Sequence, residues 1–581
     1  MPTKPTSEPS LAGPGDITES PDVQGAYPRL SEDQVAALAG QGDRRGTQPG
    51  DILFEEGERD CDFYVVLAGH VASVEGHGTR EQRVISVHGR GRFLGELSLL
   101  TGEGSFYTAT ALDTGEVLAV PAARLGELVG RDPVFGDLIL HAYLLRRSIL
   151  IGLGVGLRVV GSKYSPDTRR VRDFAARNRI PARWLDLEED PSAEAVLTQL
   201  GVSPGDTPIV IVYGRLLRNP SNSELAAAVG LPVPSTLHAS CDLLVVGSGP
   251  AGLSAAVYGA SEGMQVIALD GVATGGQAGL SSRIENYLGF PAGISGAELA
   301  GRATLQAQKF GARFAVPAEA TAIEQDGNHY RVHLADGTSL TSACVVVATG
   351  ARYRRLDVQR IDYYERTSIY YAASQAEALL CAGDPVAIVG GGNSAGQAAV
   401  FLSGHAAQVT LVVRERDLGE NMSRYLVGQV TRLPNVRVIL GAEVRELRGD
   451  EALEAITVQD GATGARCVVS ARAMFVFIGA MPCTGWLNGL VNLDDRGFVR
   501  TGPGGRPGTG PEPLLLETSR TGIFAAGDVR SGSAKRVATA VGEGAMAIRL
   551  AFEGTRPAQV TAAGRHAPAA ISRRAGSGLP G

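Results

Sequence analysis

The sequence predicts a multidomain chain: an N-terminal antiparallel β-barrel, a small α/β domain, then two Rossmann-like α/β domains. Three observations carry this expectation. Two strand, glycine-turn and helix units, at 242–270 and 386–413, have the order that a dinucleotide-binding fold requires. Short alternating strands separated by glycine turns follow Gly42, which is the pattern of a small barrel. Strands alternating with helices fill 157–231, as in a compact α/β unit. The length of 581 residues supports the division, since single cores stop growing near roughly 250–300 residues.

Composition narrows the class. A net charge of −7 gives no support for nucleic-acid binding. The 76 glycines show no collagen-like period, so the excess points to nucleotide-binding turns and linkers. The six cysteines are scattered, with no C-x-x-C and no zinc-like spacing, as expected of a cytoplasmic chain without a disulfide framework or metal site. The apolar run 148–157 is too short to span a membrane and is read as a linker and a buried strand, so no membrane partner is expected. Residues 1–28 lack a signal-peptide core, and both they and 554–581 are expected to be disordered tails.

In the barrel segment, 29–147, the stretches P-G-D-I-L-F-E-E-G and D-F-Y-V-V-L-A-G place Gly50, Gly57 and Gly69 at turns, and Phe93-Leu94-Gly95-Glu96-Leu97 follows. These residues resemble the cyclic nucleotide-binding domain family. The resemblance implies that Gly95 and the backbone after it cradle a cyclic phosphate and that Glu96 holds the ribose 2′-hydroxyl. The family's phosphate-binding Arg, two residues before an Ala, is replaced here by Tyr107 in Ser105-Phe106-Tyr107-Thr108-Ala109. A tyrosine offers one neutral donor in place of a charged bidentate pair, so weak cyclic nucleotide binding or none is expected. A helix at 132–147 closes the domain.

The unit at 157–231, with Thr207-Pro208 immediately before a strand, resembles a glutaredoxin-like domain of the thioredoxin fold. Where that family has C-P-x-C, this chain has Ser165-Pro166-Asp167-Thr168, and no cysteine lies between Cys61 and Cys241. Thiol exchange needs a thiolate, so a docking or spacer role is expected.

At the first dinucleotide unit, Gly247, Gly249 and Gly252 fall at G-x-G-x-x-G spacing, with Pro250 and Ala251 opening the helix. Gly247 permits the turn, Gly249 the approach of a pyrophosphate, and Gly252 close helix packing; Asp270 can accept from ribose hydroxyls. The second unit reads Gly390-Gly391-Gly392-Asn393-Ser394-Ala395, and its second strand ends in Arg414-Glu415-Arg416. Arg414 and Arg416 can hold a 2′-phosphate, which favours NADPH over NADH, although Glu415 sets a negative charge between them.

With G-G-Q-A-G-L-S-S-R-I-E-N-Y after the first unit, the stretch to Glu553 resembles bacterial thioredoxin reductases. The resemblance implies an FAD domain at 240–355 and 475–553 and an NADPH domain at 356–474. It implies that Gly275, Gly276, Gln277 and Asn286 line the flavin. It further implies that Thr349-Gly350 marks the exit from the FAD domain, that Gly527-Asp528 meets the ribityl and pyrophosphate region, and that the helix after it aims its N-terminus at the isoalloxazine ring. Where that family has its redox C-x-x-C, this chain has Tyr371-Ala372-Ala373-Ser374, and Cys381 on an apolar stretch reads as a buried small residue. The leading expectation is an FAD-dependent NADPH oxidoreductase, with no acid-base catalytic residue, that passes electrons to an unknown acceptor such as a redox protein. Reduction of a partner's disulfide through other thiols, and a non-enzymatic flavin or nucleotide sensor, are the alternatives. The resemblance also implies a homodimer.

Overall fold

The structure, a computed structural model, describes residues 17–555 apart from 60, 80, 97–102, 238, 282–283, 285–286, 366, 372, 374–376, 379–380, 451 and 505–512. The N-terminal barrel is two four-stranded antiparallel sheets. One is ordered Asp43–Thr47, Gly115–Val120, Phe63–Ala68, Phe93–Leu94, and the other Ile52–Phe54, Thr108–Ala111, Val71–Glu75, Arg83–His88. The expected tail at 1–28 is corrected over its described part. Ser20 N donates to Val87 O at 3.1 Å, Arg92 Nη1 donates to Ser20 O at 2.6 Å, and Ala26 is fully buried. The apolar Ala26 and Tyr27 supply the burial that holds this stretch on the barrel; 1–16 and 556–581 lie outside the described residues.

A long helix, Pro133–Leu153, leaves the barrel. The Asp132 side chain caps it by accepting from Val134 N at 3.0 Å and Phe135 N at 3.1 Å. The run 148–157, expected as linker and strand, instead continues this helix to Leu153. Its apolar residues are helix-compatible until Gly154 adopts φ 62 and ends it, after which the strand Leu157–Val160 begins.

The middle sheet is ordered Ala182–Leu185, Leu157–Val160, Ile209–Val212, Arg215–Arg218, with the first pair parallel and the others antiparallel. The helices Pro166–Arg177, Pro191–Leu200 and Asn222–Val229 connect or flank it, and Thr207-Pro208 is cis. Barrel and middle domain share one apolar core, in which Phe106, Tyr143 and Leu150 pack with Val159, Phe174 and Val210. Tyr213 OH donates across the junction to Gly104 O at 3.0 Å.

The first Rossmann-like domain is built on parallel pairing of Arg313–Ala315, Val266–Leu269, Ser240–Val246, Ser339–Val347 and Ile523–Ala525. Its central strands are apolar on both faces, as helices on either side require. The antiparallel pair Ala351–Tyr353 with Ala480–Pro482 carries the chain out and back. Between them stands a parallel sheet ordered Ile369–Tyr370, Ala473–Val476, Pro385–Val389, Gln408–Val412, Val436–Ile439. The expected return at 475 is therefore corrected: Ala473–Val476 is a middle strand of the second domain, buried on both faces, and the crossing comes at 480–482. No helix among the described residues is long and apolar enough to cross a membrane.

Candidate functional site

The first glycine turn is built by steric necessity. Gly247 adopts φ 104, and a Cβ there would sit 2.3 Å from Ala348 O; a Cβ on Gly252 would sit 1.7 Å from Gly247 O. Neither position accepts another residue without moving backbone. Gly249 is different: the nearest atom to a Cβ there is Gly276 Cα at 3.8 Å, so the space before it is open. Gly276 itself packs closely, since its Cβ would meet Gly249 Cα at 2.9 Å. The helix Pro250–Ser261 begins at Gly249 with no side-chain cap, which leaves its first N–H groups facing an open cradle suited to an anion. The Asp270 carboxylate accepts from Ser248 N, Val272 N and Ala273 N at 3.0, 3.0 and 3.1 Å. Burial pushes its pKa up, while these three N–H groups and the Arg177 charge pull against that rise.

The distant segment 527–540 closes the same cradle. Gly527 N donates to Glu543 Oε2 at 2.7 Å, Arg530 Nη2 pairs with Glu543 Oε1 at 2.5 Å, and burial raises the Asp528 carboxyl. Lys535, Arg536 and Val537, at the start of the helix Val537–Thr555, stand in the same wall. Gln277 Nε2 donates to Ala351 O, and Thr349 Oγ1 donates to Cys483 O at 2.7 Å, which ties the Thr349-Gly350 exit to the returning strand. Gly275, at φ 100, is held against Ala300 and shapes the turn behind the wall. Asn286 lies outside the described residues.

In the second unit Gly390 adopts φ 140, with Phe477 O 2.3 Å from where its Cβ would be, while Gly392 faces open space. Asn393 Oδ1 accepts from Ser423 N at 2.8 Å, and Ala395 is fully buried in the helix Asn393–Ser403. The Arg414 side chain is 76% exposed and that of Glu415 18%. Glu415 is turned inward, and a Cβ on Gly391 would come within 2.7 Å of its Oε2. Arg416 is exposed on the same turn. Two guanidinium groups thus stand at the strand end, with one carboxylate beside the glycines.

One cleft of about 1890 Å³ joins the two units; Gly247, Gly249, Pro250, Ala251 and Asp270 line it together with Asn393 and Ser394. An open cradle over one helix N-terminus, with the start of a second helix across the cleft, fits FAD and a nicotinamide dinucleotide; Gly390, Gly392, Arg414 and Arg416 are not among the residues that line it. At the C-x-x-C position, Tyr371 also lines the cleft. Its hydroxyl donates to Glu365 Oε1, which further accepts from Arg355 Nε at 2.7 Å. Burial, then this carboxylate, push the Tyr371 phenol far up, so it stays neutral. Cys381 is 2% exposed, donates to Glu377 O at 3.2 Å, and packs in the second domain's core. Cys344 is buried, its thiol pushed up to about 12. Cys483, which no motif in the sequence marks, lines the cleft, because the chain after the returning strand lays it beside Gly350. Only the pairing of Ala480–Pro482 with Ala351–Tyr353 reveals this.

The barrel interior is filled. Tyr107 is 4% exposed and packs on Phe54 with ring centroids 5.6 Å apart. Glu96, expected to meet a ribose hydroxyl, is fully buried and paired with Arg146 of the long helix at 2.7 Å. Arg146 also donates to Ala26 O at 2.7 Å and Phe93 O at 3.0 Å. The next residue, Arg147, pairs with Glu103 through both terminal nitrogens at 2.5 and 3.0 Å. The arginine pair was visible in the apolar L-L-R-R-S-I-L-I run; its acidic partners were not.

Residues 241–544 match the pyridine nucleotide-disulphide oxidoreductase family, and 44–132 match the cyclic nucleotide-binding domain. The chain is 35% identical to one component of the alkyl hydroperoxide reductase of Pseudomonas putida, over 54% of this chain and 58% of that one. It is 30% identical to the thioredoxin reductase of Streptomyces clavuligerus, over 53% of this chain and 91% of that one. The crystal structure of Lactococcus lactis thioredoxin reductase covers 54% of this chain and 98% of its own, with 26% identity and a TM-score of 0.50. With the first glycine cradle and the start of the second unit's helix lining one cleft, and more than half its length matched, the chain belongs to the pyridine nucleotide-disulphide oxidoreductase family and is an FAD- and NADPH-dependent enzyme of the thioredoxin reductase type.

Proposed function

We propose that this enzyme delivers electrons from flavin directly to an external acceptor, without an internal thiol pair. The carrying observation is the Tyr371–Glu365–Arg355 network in the cleft wall, where the related reductases have a redox C-x-x-C. A neutral phenol bound to a carboxylate accepts no electron pair, so it shapes the wall without relaying. When bound, flavin would supply two-electron chemistry between NADPH and an acceptor. The protein positions and shields: Gly249 and Gly276 admit the pyrophosphate, Asp270 holds ribose, Asn393 and Ser394 open the second helix toward the nicotinamide dinucleotide, and Arg414 and Arg416 meet its 2′-phosphate. The named relatives, a thioredoxin reductase and a component of a peroxide reductase, favour a redox protein as acceptor. The same likeness favours a cytoplasmic homodimer, which light scattering of the purified chain checks.

Anaerobic stopped-flow mixing with NADPH tests the reading. The flavin band bleaches within the dead time or soon after, and it is restored by quinone or ferricyanide faster than by thioredoxin. A flavin that NADPH leaves oxidised sinks the proposal and favours the sensor alternative.

A further inference from the structure

The cleft wall is not built by the two dinucleotide domains alone. Arg177, the last residue of the middle-domain helix Pro166–Arg177, lines it together with Asp270, Gly271 and Val272. The next residue ties this helix end to the first Rossmann-like domain, as Asn178 Nδ2 donates to Val272 O at 3.0 Å. Arg179 follows in a left-handed conformation, φ 55, and its Nη1 reaches Ala297 O at 3.5 Å. From the barrel side, Arg147 Nε donates to Arg179 O at 3.0 Å. The turn after Arg177 is thus gripped from two directions, which holds the backbone from which the Arg177 side chain reaches the cleft wall.

That guanidinium is not consumed by its own helix. Asp173, one turn back, lies 3.9 Å away with a side chain 58% exposed, a weak pair at the outer limit of contact. The Arg177 side chain is 22% exposed, and its charge acts on Asp270 across the domain boundary. Asp270 ends the second strand of the first unit, where the ribose of an adenylate binds in this fold. An adenylate beside it offers an anionic pyrophosphate and an aromatic face, and a guanidinium suits either.

We propose that Arg177 of the cysteine-free middle domain is part of the FAD site, engaging the adenylate half of the cofactor, so that this domain serves as a clamp on FAD. The proposal rests on the reading of the first glycine unit as the FAD cradle. It gives the middle domain a task that needs no thiol.

The test uses the full chain, stripped of flavin in mild chaotrope and titrated with FAD and with FMN, read by flavin fluorescence. Arg177→Ala weakens FAD by about tenfold, the low end for a charge-assisted contact, Arg177→Glu weakens it further, and Arg177→Lys recovers part of the loss. FMN lacks the adenylate, so its binding changes by no more than about twofold, within ordinary mutational scatter. FAD affinity unchanged in both Arg177→Ala and Arg177→Glu overturns the clamp while the cradle stands. Equal loss of FAD and FMN also overturns it, because that marks general damage. A wild-type chain that takes up no FAD overturns the cradle reading and the clamp together.

Discussion

The barrel gives the sharpest quantitative test. A cyclic nucleotide seated as the family resemblance implies would need Glu96 for its ribose, yet Glu96 is fully buried and paired with Arg146. Separating a buried pair costs about 3–5 kcal/mol, while a charge-assisted hydrogen bond returns about 1.5–3 kcal/mol. The exchange is unfavourable by roughly 0–3.5 kcal/mol, and the missing phosphate guanidinium at Tyr107 removes about 1.5–3 kcal/mol more. From a nominal micromolar site, worth about 8.2 kcal/mol, this leaves a Kd of about 10 μM or weaker. Isothermal calorimetry of the full chain with cyclic AMP measures it. The structure also tempers what Tyr107→Arg can do. The new guanidinium would enter a closed site beside Arg146, two cations facing one carboxylate, so the gain in affinity stays below about tenfold and the melting temperature falls. A wild-type Kd of about 1 μM or tighter would refute the reasoning, since it would require Glu96 to leave Arg146 at almost no cost.

Gly249→Val is expected to fold, because Gly276 Cα at 3.8 Å is the one atom within 4 Å of the added Cβ, but fills the pyrophosphate space; the purified variant is colourless, and one with full flavin content contradicts the cradle. NADPH-dependent reduction of thioredoxin or a small disulfide reagent is slow beside ferricyanide reduction, and Cys381→Ser and Cys483→Ser leave the ferricyanide rate within about twofold; a thioredoxin rate that matches ferricyanide and is lost in either variant restores the disulfide-reductase reading. Glu415→Ala removes the carboxylate beside the glycines and raises the kcat/KM ratio of NADPH over NADH by about three- to tenfold, and a fall in that ratio contradicts the placement of the 2′-phosphate. His88 is held neutral: burial, then the charges of Arg146 and Arg92, lower its pKa well below 6.5. The unfolded chain therefore takes a proton that the folded one refuses as pH falls below 6.5, and stability drops by about 1.4 kcal/mol per pH unit from this group. Barrel melting followed from pH 7 to 5 shows the drop, and His88→Gln flattens it.

What the sequence made legible was local. Gly247 and Gly252 reveal themselves because backbone within a few residues leaves no room for a Cβ, and the spacing alone encodes that crowding. The barrel's turns and the strand and helix order of the middle domain are equally short-range. What stayed hidden depends on chain segments far apart in sequence. Glu96 meets Arg146 only because the long helix folds back over the barrel, and Cys483 reaches the cleft only through the return strand. Arg177 was one of several arginines on an amphipathic helix until the tie from Asn178 to Val272 set that helix end against the flavin domain. The two corrected boundaries have the same origin. An apolar run continues a helix until a glycine takes up left-handed backbone, as Gly154 does and Gly152 does not, and Ala473–Val476 belongs to whichever sheet offers two open neighbours.

The placement of the barrel on this enzyme follows from two adjacent residues of one helix. Arg146 holds Glu96 and Arg147 holds Glu103, so two acids of the barrel are paired with the helix Pro133–Leu153. Arg147 also donates to Arg179 O, two residues beyond Arg177 at the cleft wall. Displacing Glu103 would leave a buried guanidinium without its acid, at about 3–5 kcal/mol, a penalty that Arg147 could relieve only by moving and so loosening Arg179. A shared apolar core makes such movement collective, since Tyr143 and Leu150 of the same helix pack with Phe174 of the helix that carries Arg177. A displacement of Pro133–Leu153 that carries Arg147 would therefore reach Arg179 and the Arg177 end of the cleft first, so on the clamp proposal its expected effect is on how firmly FAD is held, read by flavin fluorescence, rather than on the rate of hydride transfer.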